Sequence, residues 1–219
     1  MELLDFARGP ALTFGLGVFV LGTMWRLFGV LLLPRIRDRS PARAGAPAAP
    51  IGALRTVVAR MWPRQAFLHA TLFPTINSYV FHIGLAVVAF GLGPHIVFIS
   101  NLTGLHWPSL PSNLVFAVGV LTLASLIGAL VRRIAHPVLR LLSHTGDYVS
   151  LILTILPVIT GLLATSHLGA RYETLLALHM LCVAALLAWF PFGKLMHAVL
   201  VAFSRGATGM RFSHRGVRA

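Results

Sequence analysis

The stretch LALHMLCVAALLAWFPFGKLMH, residues 176–197, decides how this chain is read. It sets His179 and His197 18 residues apart inside one long apolar segment. Eighteen residues make about five turns of an α-helix, which puts both imidazoles on one face, about 27 Å apart at about 1.5 Å per residue. The hydrocarbon core of a bilayer is about 30 Å thick. A single helix over 174–203 therefore offers a neutral nitrogen ligand near each membrane surface, an arrangement that two stacked haems, one per leaflet, require.

The rest of the composition agrees with a membrane setting. Of 219 residues, 57% are hydrophobic and 11% charged, and the mean hydropathy is +0.85. Water-soluble domains carry about 25% charged residues, so the chain reads as an integral membrane protein. Its length suits one compact helical bundle, a single domain over 1–219. Apolar segments at 10–33, 75–100, 112–132, 147–168 and 174–203 each reach the ~20 residues of a spanning helix. The expected fold is an all-α bundle of five transmembrane helices.

The net charge of +13 raises the question of nucleic acid, but its distribution answers otherwise. Arg35, Arg37, Arg39, Arg43, Arg55, Arg60 and Arg64 fall in the connection 34–74, Arg133 and Arg140 in 133–146 beside Arg132, and Arg205, Arg211, Arg215 and Arg218 in the tail. The other side carries Arg8 and Arg171. The positive-inside rule then puts the N-terminus outside and the C-terminus in the cytoplasm. Within 34–74, SPARAGAPAAP reads as a flexible linker. IGALRTVVARMWPRQAF, which follows it, has two readings: an amphipathic helix in the cytoplasmic interface, or a loop helix packed on the bundle. Cys182 is the one cysteine, so no disulfide, zinc site or c-type haem attachment is expected. Glu2 and Asp5 open the chain with no basic n-region or A-x-A site, and no removable signal peptide is expected.

Histidines inside a bilayer are costly and mark function or helix-to-helix hydrogen bonds. A second helix supplies His82, in SYVFHIG, and His95, in FGLGPH. With helices two and five antiparallel, His82 meets His197 on the inner side and His95 meets His179 on the outer side, each pair able to clamp one b-type haem iron. Thirteen steps at about 100° leave His82 and His95 about 220° apart on a straight helix. Gly91, Gly93 and Pro94 stand between them, and a proline distortion could re-aim His95. His106, beside Trp107 in the outer loop, and His167, at the end of helix four, are the rival outer ligands. Either could also stand near a quinone. His136 and His144 are expected to be solvated. Gly84, Gly91, Gly93, Gly119, Gly128 and Gly161 fit either close approach of a flat macrocycle or tight helix packing. Arg26 either neutralises a haem propionate or snorkels to the interface. Lys194 is expected near the inner haem edge, and Asp147 as the N-cap of helix four.

These motifs resemble the gamma subunit of respiratory nitrate reductase, a five-helix di-haem cytochrome b. The resemblance lies in the helix-five histidine, Phe-Pro-Phe, basic residue and second histidine, in FHIG around His82 and in Trp25–Arg26. His82 and His95 are thirteen residues apart where the nitrate reductase subunit spaces its two helix-two ligands by ten, and Gly-Pro-His, the loop GLHWPSLPSN and RYETLLALH are closer to cytochrome subunits of sulfite-reductase-associated and heterodisulfide-reductase-like complexes. The nitrate enzyme's quinol-site lysine after the outer loop has no counterpart here. The resemblance implies two haem b groups and a respiratory electron-transport subunit of a multi-subunit oxidoreductase in a bacterial or archaeal cytoplasmic membrane. It further implies oxidation of quinol at the outer side and cytoplasmic iron–sulfur and catalytic reductase subunits as partners. The rival reading is a haem-free transporter or scaffold whose histidines form a proton relay or interhelical hydrogen bonds; the scarcity of acidic residues in the spans weighs against proton coupling.

Overall fold

The computed structural model describes residues 2–34 and 39–217. Arg35, Arg37 and Arg218, counted above with the inner arginines, lie outside the described residues. All regular structure among the described residues is helical: α1 Leu3–Leu31, α2 Ala49–Ala59, α3 Leu68–Gly91, α4 Gly93–Thr103, α5 Ser112–Ala135, α6 Pro137–Leu142, α7 Thr145–Ser166, α8 Tyr172–Trp189 and α9 His197–His214. Five of these, α1, α3, α5, α7 and α8, are long and apolar enough to cross a membrane. The first span starts earlier than the expected residue 10, because a π-helical turn over Ala7–Ala11 absorbs Pro10 without ending the helix.

Two expected spans are interrupted. The segment 75–100 is two helices, α3 and α4, with Leu92 extended between them at φ −79° and ψ 129°. Pro94 has no N–H for the helical ladder, yet is at home in the first turn of a new helix. The carbonyls orphaned at the end of α3 find other donors, as a buried helix end requires. The indole of Trp107 donates to the Phe90 carbonyl at 2.7 Å, and Leu110 N–H to that of Gly91 at 2.9 Å. The loop between α4 and α5 is thereby folded over the break.

The segment 174–203 is not the single helix that the 18-residue spacing implied. α8 stops at Trp189, a 3-10 turn covers Lys194–Met196, and α9 starts at His197. Pro191 cannot continue the ladder. Phe192 and Gly193 both donate to the Trp189 carbonyl at 3.0 Å, closing a tight turn. Gly193 is needed there, since a Cβ would collide with the Trp189 indole. The common-face argument for His179 and His197 is therefore corrected: they belong to two helices.

The spans pack in the order α3–α5–α7–α8–α1. Leu126, Ile155 and Val158 form the core where α5 meets α7. Asn77 of α3 donates to the Ser125 carbonyl of α5 at 3.0 Å, and the Ser125 hydroxyl donates back to Asn77 at 2.8 Å. Gly84 lies against Thr122, and Gly119 against Leu162 and Val88, which is the helix-packing use of these glycines. Among the described residues α3 and α8 share no packed seam.

α1 is held by α8 at a point where only glycine fits. A Cβ on Gly15 would stand 2.7 Å from the Ala184 carbonyl oxygen and 2.9 Å from its Cα. Both are backbone atoms, so the helices must part to admit even one methyl. Gly15→Ala is expected to cost about 1–3 kcal/mol as overpacking, read as a lower thermal unfolding midpoint in detergent. An unchanged midpoint would show that the seam is loose.

The expected interfacial helix is shorter than its sequence pattern, Ala49–Ala59, and lies against α9. Much of the basic tail is helical, within α9. The linker 40–50 is tied down: Arg43 N–H donates to the His214 carbonyl at 3.0 Å, and the Ser213 hydroxyl to the Pro47 carbonyl at 3.0 Å.

Candidate functional site

Four imidazoles, one each from α3, α4, α8 and α9, stand in two pairs. The rings of His82 and His197 have centres 5.9 Å apart and planes at 88°. Those of His95 and His179 are 6.0 Å apart and within 14° of parallel. The break at Leu92 aims His95 at its partner by starting a new helix, where a straight continuation of α3 would turn it away. The break after Trp189 places His197 at the first residue of α9.

All four rings are anchored alike. His82 Nδ1 lies 2.7 Å from the Ser78 carbonyl, His95 Nδ1 2.8 Å from that of Val88, His179 Nδ1 3.0 Å from that of Pro157 and His197 Nδ1 2.7 Å from that of Lys194. A carbonyl oxygen only accepts, so each Nδ1 carries the proton and each Nε2 keeps its lone pair. Among the described residues none of the four Nε2 atoms is hydrogen-bonded. Metal-ligating histidines almost always donate their other N–H in this manner, which fixes the ring and raises its basicity. Gly161 makes room for one of them, since a Cβ there would lie 3.1 Å from His179 Cε1.

The remaining histidines stand apart. His106 is exposed in the outer loop. His167 caps α7 in the left-handed region at φ 54°, and its ring leans on Tyr172 at 5.2 Å. His144 is exposed, as expected, and is the N-cap of α7; Asp147, expected at that position, is the third helical residue and completes a capping box. The Asp147 carboxylate accepts from His144 N–H at 2.9 Å. It also meets Lys194 Nζ at 2.6 Å and Arg133 at 3.5 Å.

This charged knot reaches the His82–His197 pair, because the Lys194 carbonyl is the one that holds the His197 ring. Arg26, on α1, lines a cavity of about 420 Å³ together with Trp189, Lys194 and His197. A guanidinium and an ammonium facing one cavity suit a bound carboxylate. The carbonyl anchors and the Asp147–Lys194 contact had no signal in the sequence. Only the i−4 spacing of Ser78 from His82 was within reach of helix geometry.

Over 216 residues the chain is 31% identical to a protein of Nitratidesulfovibrio vulgaris (strain Hildenborough) described only as "Protein", a match covering 95% of this chain and 92% of the relative. No family model matches the chain, and no solved structure matches it. The chain belongs to the same family as the Nitratidesulfovibrio vulgaris protein.

Proposed function

We propose that this family member is a di-haem b membrane-anchor subunit. In this reading it passes electrons between the quinone pool and a cytoplasmic iron–sulfur reductase partner, with quinol oxidised at the outer side. His82 and His197 would hold the inner haem, and His95 and His179 the outer haem. The N-terminus would lie outside and the C-terminus in the cytoplasm, as the arginine distribution suggests. The observation that carries the reading is the shared anchoring of the four rings, with a protonated Nδ1 on a carbonyl and a free Nε2 in each facing pair.

The spacing fits the group. A metal–imidazole bond is about 2 Å and the ring centre lies about 1 Å further, so two opposed ligands set their ring centres about 6 Å apart. The observed 5.9 and 6.0 Å agree with this. α3 and α8 share no packed seam, and a flat macrocycle would take its place between them. When bound, haem supplies reversible one-electron exchange at iron. The protein's own residues hold Nε2 lone pairs toward the gap, fix the rings through carbonyl acceptors and offer Arg26 to a propionate at the inner cavity. His106 and His167 are the outer-side residues near which a quinol would dock.

The haem-free reading has one observation behind it, the bond from His179 to Pro157 on the neighbouring helix. The other three anchors are local to their own segments, which is not how interhelical glue is arranged. A visible spectrum of the purified chain, oxidised and then dithionite-reduced, separates the two. Redox-sensitive haem bands at two haems per chain are expected; a protein that is colourless after expression with ample haem would end the proposal.

A further inference from the structure

α2 carries an apolar stripe that no part of the described chain covers. Its one face, with Gly52 and Thr56 buried, is closed against α9, where a Cβ on Gly209 would lie 2.5 Å from the Gly52 carbonyl oxygen. On the opposite face Ile51, Leu54 and Val58 are 58, 66 and 61% exposed. Spacings of three and four put them on one side of the helix. Met61 and Trp62, also more than half exposed, prolong the stripe.

The stripe is joined to a spanning helix. Trp62 stacks on Tyr79 of α3 with ring centres 6.4 Å apart, and the Tyr79 hydroxyl donates to the Met61 carbonyl. The exposed Phe67, Phe73 and Ile76, at the start of the same span, carry the apolar surface onward. Tryptophan and tyrosine at such a junction mark the headgroup level of a bilayer. Charge supplies the second argument. Arg39, Arg43, Arg55, Arg60 and Arg64 are exposed near α2 in the chain, Arg43 with its guanidinium on the Gly216 carbonyl and Arg60 over the Phe212 ring of α9. No carboxylate side chain occurs between Arg39 and Gly146 or after Glu173.

We propose that α2 lies in the headgroup–acyl boundary of an anionic leaflet, with Ile51, Leu54 and Val58 in the acyl region and the flanking arginines on lipid phosphates. The surface fits anionic phospholipid: it is continuous with the lipid-facing side of α3 and its charges are all of one sign. The inference is independent of haem.

The test is depth measurement on the full chain. Leu54→Cys, Val58→Cys and, on the face of α9 away from α2, Arg211→Cys are each made on a Cys182→Ala background and spin-labelled. Each is placed in lipid nanodiscs of phosphatidylglycerol with phosphatidylcholine. Labels at 54 and 58 are expected to show several-fold higher accessibility to oxygen relative to a water-soluble nickel chelate than the label at 211. That ratio should fall in discs of phosphatidylcholine alone. Water-like accessibility at 54 and 58 would overturn the proposal. So would shielding of both labels from both reagents, since it would mean that protein covers the stripe. Equal depth in the two lipids would refute the role given to the arginines.

Discussion

His197→Ala is expected to leave the chain with one haem in place of two, and His82→Ala to leave the same one. The rings of this pair have centres 5.9 Å apart, so in the proposed reading both would hold the same haem and removing either would cost it a ligand. His179→Ala and His95→Ala should spare the other haem and produce a second, distinct spectrum. The pattern across the four variants is stronger evidence than any single loss, because a general folding defect would remove both haems from every variant. His106→Ala and His167→Ala should retain both haems, since one sits in the exposed loop and the other leans on Tyr172. The measurement is the pyridine haemochrome content per chain with the reduced spectrum. Should His82→Ala resemble His179→Ala in the haem it loses, the pairing is wrong even if both haems are real.

The second large effect is expected from Asp147→Ala. Its side chain is 5% exposed and bridges Lys194 and Arg133 while holding the start of α7 through His144. Loss of a cap costs about 1 kcal/mol, and a buried hydrogen bond to a charged group contributes about 1.5–3 kcal/mol. Lys194 and Arg133 are partly exposed and can return to water, which offsets some of that loss. A net destabilisation of about 2–3 kcal/mol follows, seen as a lower unfolding midpoint. The consequence for the site is more specific. Lys194 carries the carbonyl that anchors His197, so the inner haem's potential and spectrum should shift while the outer haem's stay. Asp147→Asn, which keeps an acceptor for His144, should fall between. A variant with full thermal stability and unchanged inner-haem properties would show that the knot and the ring are uncoupled.

How far the sequence reached differs from element to element. Five apolar segments of spanning length were visible because lipid imposes length and composition on each helix separately. The positions of Pro94 and Pro191 were visible too, but their consequence was underestimated. A proline can kink a helix or end it, and the choice depends on what satisfies the freed carbonyls. Here Trp107 and Leu110 do so at one break, and Phe192 and Gly193 at the other. Those donors come from neighbouring turns and loops that no local pattern reveals.

What the amino-acid order alone determined is the membrane character, the five segments of spanning length, the gathering of arginines and which histidines come together in pairs. Each follows from residue type and spacing along one segment. The tertiary structure decided that α3 and α8 end where they do, that the imidazoles come together in two pairs, and that backbone carbonyls of Ser78, Val88, Pro157 and Lys194 hold them. It also decided that Asp147 reaches across to Lys194. The physical reason is that a backbone acceptor carries no residue signature, and its availability is set by where helices break and which helix packs beside them.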